Sequence, residues 1–420
     1  MTAIVGILNK QAVAVAADSA VTVGRGVKIY NTANKIFNLS KGCPVGIAIY
    51  GNAALNNCVP WEVVIKMYRK HIGNNKFPSL SCYVKDFFEY VKKFSDRYIS
   101  SDDALNVLKG DIYRFWYEDL TRGLRERDDF DAPLAKFALK ILKDRLKELA
   151  TKLKKQEALE EYKDLKESDF IAKISDVLDL MQKQIVQNGG NWENDFKASV
   201  QTILFKMFTS PIKNSNVSGV SIFGYGEDEI YPSLQEFWVY NIVLGVQRIE
   251  NKTNNIIDES NGASICPMAQ RDVIETFIEG VSHEIKDTLL VATESAIKET
   301  VIEVSNVIRP INEIPADNIM SIDYLTIIQK YRQAINDIIR RKQVDPLIRT
   351  IVSMGKEDIA DLAENLIYMT SMKRHVTPFA ETVGGPIDVA IISKGDGFIW
   401  KKRKHYFSAE LNSDFFNTNR

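Results

Sequence analysis

TAIVGILNKQAVAVAADSAVTVGRGVKIYNTANK, Thr2 to Lys35, carries most of what this chain says about itself. The run Ala3-Ile4-Val5-Gly6-Ile7-Leu8 is followed by a polar turn, Asn9-Lys10-Gln11, and then by a second apolar run from Ala12 to Ala17. Two such runs joined by a short turn predict a β-hairpin, and their near-continuous apolarity predicts strands covered on both faces. First residues fray unless something ties them down. A hairpin inserted this way carries the start of the chain into the interior, where its own α-amine can act as a chemical group.

Met1 precedes a small residue, Thr2, a context in which methionine aminopeptidase trims the initiator. Trimming leaves a threonine whose free amine stands beside its own hydroxyl, so that the hydroxyl attacks and the amine takes its proton. An α-amine titrates at roughly 7.7–8.0, so a fraction is unprotonated near neutral pH.

Thr2, then Val15-Ala16-Ala17-Asp18-Ser19, Thr22-Val23-Gly24 and Lys35 resemble the proteasome β-subunits and the peptidase subunit of the related bacterial ATP-dependent protease. Both belong to the N-terminal-nucleophile (Ntn) hydrolases. The resemblance continues in Lys35 to Leu39, in Pro44 to Ala53, and in Gly384-Gly385-Pro386-Ile387-Asp388-Val389 with Asp396-Gly397. It implies an α+β fold, a four-layer αββα sandwich of two antiparallel sheets with helices outside. It implies a threonine peptidase acting through an acyl-enzyme on Thr2, with Asp18 and Lys35 as a buried pair beside it and Gly51 donating its N–H to the oxyanion. Lys28 is a rival for Lys35. Val21, Ile49 and Ala53 are implied as the apolar pocket for the residue before the scissile bond. A serine near the nucleophile's amine is expected as Ser264, with Ala269 as the alternative. Glu381 or Thr382 stands where the family places its late acid and hydroxyl. Family members form rings, so a homo-oligomer is implied, with a peptide or protein substrate and an ATP-dependent unfoldase as possible partners.

Composition narrows the alternatives. The 420 residues are 45% apolar and 26% charged, with a net charge of −1, ordinary for a globular protein. No whole-chain field attracts nucleic acid or an anionic membrane. No apolar run approaches the ~20 residues of a membrane span, and no signal peptide is read at the N-terminus. Cys43, Cys58, Cys82 and Cys266 show no metal or redox spacing, which predicts reduced thiols in a cytoplasmic protein. His71, His283, His375 and His405 show no ligand spacing either; no metal and no cofactor are expected.

Along the chain, Val21 to Ala33 reads as a connecting loop, Lys35–Leu39 and Val45–Tyr50 as strands, and Gly51 onward as the opening of a helix. A second helix spans Tyr83 to Tyr98. From Ser101 to Ser210 apolar residues recur three and four apart among lysines and glutamates (Phe137, Ile141, Leu142, Leu146), which predicts long solvated helices, broken at Gly189-Gly190. Strands return at Val217–Tyr225 and Tyr231–Leu244. Gly262 to Gln270 reads as a loop before a helix over Gln270–Val281. A charged helical stretch broken at Pro310 and Pro315 leads to a helix over Lys356–Met372. Two last strands, Ile387–Ser393 and Phe398–Lys402, are joined by Gly395-Asp396-Gly397, a strong hairpin signal. The basic run Lys401 to Lys404 reads as a solvated strand end. The division is 1–100, 214–281 and 355–420 as one core, with 101–213 and 282–354 as helical insertions. Two other functions stand beside the peptidase: a catalytically silent scaffold working through its helical arms, and a small-molecule amidase of the same superfamily.

Overall fold

The structure is a computed structural model that describes residues 2–23, 28–40, 42–116, 134–187, 191–210, 217–312, 324–377, 383–408 and 410–412. Its first two strands, β1 (Ile4–Asn9) and β2 (Val13–Ala17), are buried at every residue. The Asn9 side chain accepts from the N–H groups of Gln11 and Ala12 and so shapes the turn between them. A third strand, β3 (Val21–Val23), pairs with β4 (Lys28–Tyr30), so the stretch expected to be only a loop carries a small hairpin. Then come β5 (Ile36–Asn38) and β6 (Val45–Gly51). Helix α1 begins only at Trp61 and runs to Ile72. Between β6 and α1 a two-residue ribbon, β7 (Ala54–Leu55) and β8 (Val59–Pro60), turns through Asn56 and Asn57 at positive φ, which displaces the helix expected from Gly51.

Helix α2 (Leu80–Tyr98) starts at Ser79, whose side chain accepts from the Cys82 N–H, the usual way to satisfy an orphan donor at a helix start. Next come α3 (Ser101–Arg114), α4 (Leu134–Leu153), α5 (Glu167–Lys173), α6 (Ser175–Gln187) and α7 (Asn194–Thr209). These helices share an apolar cluster of their own, centred on Phe170, Met181 and Leu153. The break expected at Gly189-Gly190 lies outside the described residues.

Four strands follow: β9 (Ser218–Gly224), β10 (Ser233–Val239), β11 (Ile249–Ile256) and β12 (Ala263–Ala269). Sequence reading missed the last two. Strand β11 is IENKTNNI, polar and half-exposed at a sheet edge, and β12 contains Pro267. A proline argues against a central strand but is allowed at an edge or a bulge. Strand β12 is an edge strand, and its pairing with β1 shifts register at Ile4/Val5, opposite Pro267.

The remaining elements are α8 (Arg271–Glu279), α9 (His283–Asn312), α10 (Tyr324–Ile339), α11 (Asp345–Ser353) and α12 (Lys356–Val376), then β13 (Asp388–Ser393) and β14 (Gly397–Lys402). Pro315 falls outside the described residues.

Ten strands form two antiparallel five-stranded sheets, in orders β12-β1-β2-β13-β14 and β11-β10-β9-β6-β5. Side chains alternate between two cores, as the strand period demands. From β1, Val5 and Ile7 meet Ile359, Ala363 and Ile367 of α12 and Ile351 of α11. Ile4 and Leu8 instead join Ala48, Tyr50, Phe223 and Leu234 of the other sheet. In that second sheet Val45, Ile47 and Ile49 turn outward onto Trp61, Tyr68 and Phe87 of α1 and α2. The chain is therefore mixed helix and sheet, its strand interiors covered on both sides. Among the described residues no helix is long and apolar enough to cross a membrane.

Phe87 is fully buried and packs edge-on against Tyr68 with ring centroids 5.0 Å apart. Phe87→Ala should lower unfolding stability by about 3–5 kcal/mol, read as a reduced urea midpoint with an unchanged slope.

Candidate active site

The end of β2 sets up the site. Asp18 is the first residue after the strand, 1% exposed, and it is held from every side. Its Oδ1 accepts from the Ala3 N–H at 2.8 Å and from Lys35 Nζ at 2.6 Å. Its Oδ2 accepts from the N–H groups of Ala20 at 3.1 Å and Gly384 at 3.2 Å. An ionised carboxylate offers about four acceptor positions, and all are used. One carboxylate thus ties together the start of β1, the loop after β2, the Gly384 loop before β13, and Lys35.

Lys35 is 4% exposed and spends a second proton on the carbonyl of Ala20, at 2.7 Å. Burial is the strongest influence on this ammonium and takes its pKa below the ordinary lysine value, although the Asp18 charge and hydrogen bond oppose it. Since Ala3 and Lys35 donate to the same oxygen, the lysine stands within two hydrogen bonds of the backbone that follows Thr2. Asp18 takes Lys35 as its ion-pair partner; Lys28 sits on β4, paired with Val23.

Thr2 is half-buried and lines a cavity of about 1360 Å³, together with Lys35 and Gly51. Val21, Ile49 and Ala53 form part of the same wall. Gly51 ends β6 at φ 75°, and a Cβ there would meet the Val217 carbonyl oxygen at 2.6 Å. That position needs glycine for backbone reasons alone.

One expected residue is not part of this arrangement. Ser264 is the second residue of β12, opposite Leu8, and donates to Asn255 Oδ1. Strands rise about 3.3 Å per residue, and its partner Leu8 stands six positions along the chain from Thr2. Ser264 is corrected: it does not lie beside Thr2, because Ala263–Ala269 is a strand and not a loop. Ala269, the alternative, lies opposite Ile4 at the Thr2 end and carries no hydroxyl. Glu381 and Thr382 lie outside the described residues, as does Met1.

Other side chains in the cavity gave no sequence signal. Gln270 adopts a left-handed backbone, φ 53° and ψ 57°, at the junction of β12 and α8. Non-glycine residues rarely do so, and such strain gathers at functional sites. Its Oε1 accepts from Arg374 Nη2 at 2.5 Å, and the same guanidinium reaches Asp272 at 2.7 Å. Between the sheets the Tyr50 hydroxyl donates to Glu236, and Lys252 Nζ donates to the same Glu236 oxygen at 2.8 Å. Burial first, and then Glu236, pushes the Tyr50 phenol above its ordinary range. These residues are far apart in sequence; no spacing rule could have joined them. Among the described residues no group of His, Cys, Asp and Glu could hold a metal ion.

Geometry thus defines a mixed α/β protein with a buried acid–lysine pair beside a cavity that holds the start of its first strand. No family model matches the chain, and no curated protein does. Solved structures with which it aligns include the helical assembly of the Anbu complex from Pseudomonas aeruginosa, at 8% identity and a TM-score of 0.33, covering 100% of this chain and 92% of that one. Anbu (ancestral beta-subunit) from Yersinia bercovieri aligns at 9% identity and TM-score 0.30, covering 99% and 94%. A Gly-1 mutant of Anbu from Hyphomicrobium sp. strain MC1 aligns at 10% and 0.28, covering 100% and 96%. Likeness at this level assigns no role to any residue. These findings correct the resemblance drawn from the sequence. No family model places the chain among the proteasome β-subunits or with the bacterial protease's peptidase, and the structures found are Anbu proteins, a distinct arrangement.

Removing one partner of a buried ion pair leaves an uncompensated charge, which costs about 3–5 kcal/mol. Lys35→Met and Asp18→Asn should each destabilise on that scale, and the double variant by less than the two together. A double-mutant cycle by urea denaturation reads this directly.

Proposed function

We propose that the chain is an N-terminal threonine hydrolase that cleaves amide bonds in peptides, with Thr2 exposed by removal of Met1. The observation that carries this reading is the shared Asp18 oxygen: it brings the Lys35 ammonium next to the residue-2 backbone, in a cleft that also contains Thr2. On this reading the two sheets and their covering helices form the αββα sandwich of an Ntn hydrolase. Residues 101–213 and 282–354 are helical insertions into it, the last helix of the second folded back onto β12.

The Thr2 hydroxyl attacks the substrate carbonyl carbon and its proton passes through a water to the α-amine. Lys35 stabilises the developing alkoxide and disfavours a second positive charge on the amine before attack. The tetrahedral oxyanion accepts from the Gly51 N–H; one such donor is worth about 2.7–4 kcal/mol. Collapse expels the leaving amine, which takes the proton held by the α-ammonium, and an ester on Thr2 remains. Water then attacks that ester, the amine again accepting a proton, and the acid product leaves. Val21, Ile49 and Ala53 favour an apolar residue before the cleaved bond. A cavity of about 1360 Å³ exceeds the roughly 300–1,000 Å³ of small-ligand sites, which favours a peptide over a small amide.

A catalytically silent scaffold is the second reading, and Ala269 favours it: the residue opposite Ile4 offers no hydroxyl to hold the amine. Intact mass after treatment with a peptide β-lactone separates the two. Loss of Met1 with one adduct on wild type and none on Thr2→Ala supports the hydrolase; retained Met1 and no adduct supports the scaffold.

Activity also requires a neutral amine and a charged Lys35, so kcat/KM should be bell-shaped in pH. The acid limb reports the amine, and the Lys35 ammonium beside it should hold that limb below the 7.7–8.0 of a free α-amine. The alkaline limb reports Lys35. Its pKa is lowered, so that limb should fall below the ~10.4 of a free lysine. A limb at or above that value would remove Lys35 from the mechanism.

A further inference from the structure

Behind the Asp18–Lys35 pair lies a second charged group that the proposed chemistry does not use. Asp388 opens β13, directly opposite Ala17, the residue before Asp18. It is 1% exposed, and three donors converge on it from the segment after β14. Arg403 Nη1 donates to Oδ2 at 2.9 Å, Lys404 Nζ to the same oxygen at 2.5 Å, and the Lys404 N–H to Oδ1 at 2.9 Å. The Arg403 guanidinium also lies 4.3 Å from the Trp400 ring centroid and donates to the carbonyl of Ile36, the residue after Lys35. The basic run that reads as a solvated strand end is therefore folded back: the Arg403 and Lys404 side chains are only 19% and 12% exposed.

Charge counting shows why this matters. Asp18 balances Lys35. Asp388 is a single carboxylate and balances one of its two cations, so among the described residues of this cluster one half-buried positive charge is in excess. Glu62 of α1 acts on Arg403 but is itself exposed, where water screens it. We propose that Lys404, held by Asp388, is a positioning residue for Lys35: a cation that sets the field around the site from the Asp388 cluster at the start of β13.

Lys35 is faced by Asp18 from the end of β2, by Asp388 from β13, and by Lys404 from the segment after β14. Like charges in a low-dielectric interior repel far more strongly than in water. Lys404 accordingly lowers the pKa of Lys35, and Asp388 raises it; burial remains the largest influence on both lysines. Lys404 in turn is restrained by Asp388 and feels Asp18 and Arg403. Lys404 thus makes Lys35 readier to lose its proton, and Asp388 opposes it. This inference rests on the hydrolase reading for its consequence in catalysis, but its electrostatic content is separable from it.

The test uses full-length chain labelled with 13Cε-lysine, the Lys35 resonance being assigned by its loss in Lys35→Arg. Its titration midpoint should rise in Lys404→Met, stay at the wild-type position in Lys404→Arg, and fall in Asp388→Asn, where two cations lose their counter-charge. If the alkaline limb of kcat/KM follows Lys35, it moves in the same directions. An unchanged Lys35 midpoint in Lys404→Met overturns the inference. Should that variant fail to fold, Lys404→Gln and Asp388→Asn give the same two-sided answer, an unmoved midpoint in either again overturning it. A chain whose Lys35 shifts as stated but which takes no β-lactone adduct loses the hydrolase reading and keeps this one. Adduct formation with an unmoved Lys35 does the reverse.

Discussion

Asp18 is the point on which this molecule turns. A carboxylate withdrawn from water is costly unless every acceptor position is met, and here four donors from four separate segments meet it. That demand explains several features together. The start of β1 is pinned and cannot fray, since its Ala3 N–H is one of the donors. The loop before β13 is drawn in through Gly384. Lys35 is fixed on the far side with little freedom of its own.

Around this point the two sheets provide rigidity. Helices cover both outer faces, so β1 and β2 have no wet side and their register is strongly specified; a slip by one residue would exchange the helix-facing and sheet-facing sets. The cleft opens where the regular pairing ends, at the ends of β2, β6 and β12. Gly51 and Gln270 mark that boundary by their positive φ. Irregular backbone at the rim of a well-packed frame is where chemistry is commonly housed.

The chain also buries charge beyond the Asp18–Lys35 pair. Arg403 and Lys404 close on Asp388 behind the site, and Lys252 closes on Glu236 and Tyr50 between the sheets. Each group is internally hydrogen-bonded, which is how a folded chain tolerates charge at low dielectric. Both sit next to strands that carry cavity residues. Replacing buried ion pairs with apolar side chains is neutral or better for stability in many proteins, so their presence alone is no argument for stability.

Sequence reading went furthest where the information is local. The apolar runs and turn chemistry of Ala3 to Ala17, the hairpin at Gly395-Asp396-Gly397 and the helical periodicity of Val84 to Phe94 all depend on neighbours a few residues apart, and each stands in the fold. The same kind of reading failed for β11 and β12, whose polar side chains and Pro267 look like loop until β10 and β1 supply their hydrogen-bond partners. It failed for Ser264 for the same reason, since a residue's place along a strand depends on the register of its neighbour. It failed for Asp388, Arg403 and Lys404 because they find one another only across a folded-back segment, with Arg403 also reaching the Ile36 carbonyl of β5. Short-range pattern is written in the chain. Which side chains end up buried together is set by long-range packing, because the energy of a charge depends on everything that surrounds it.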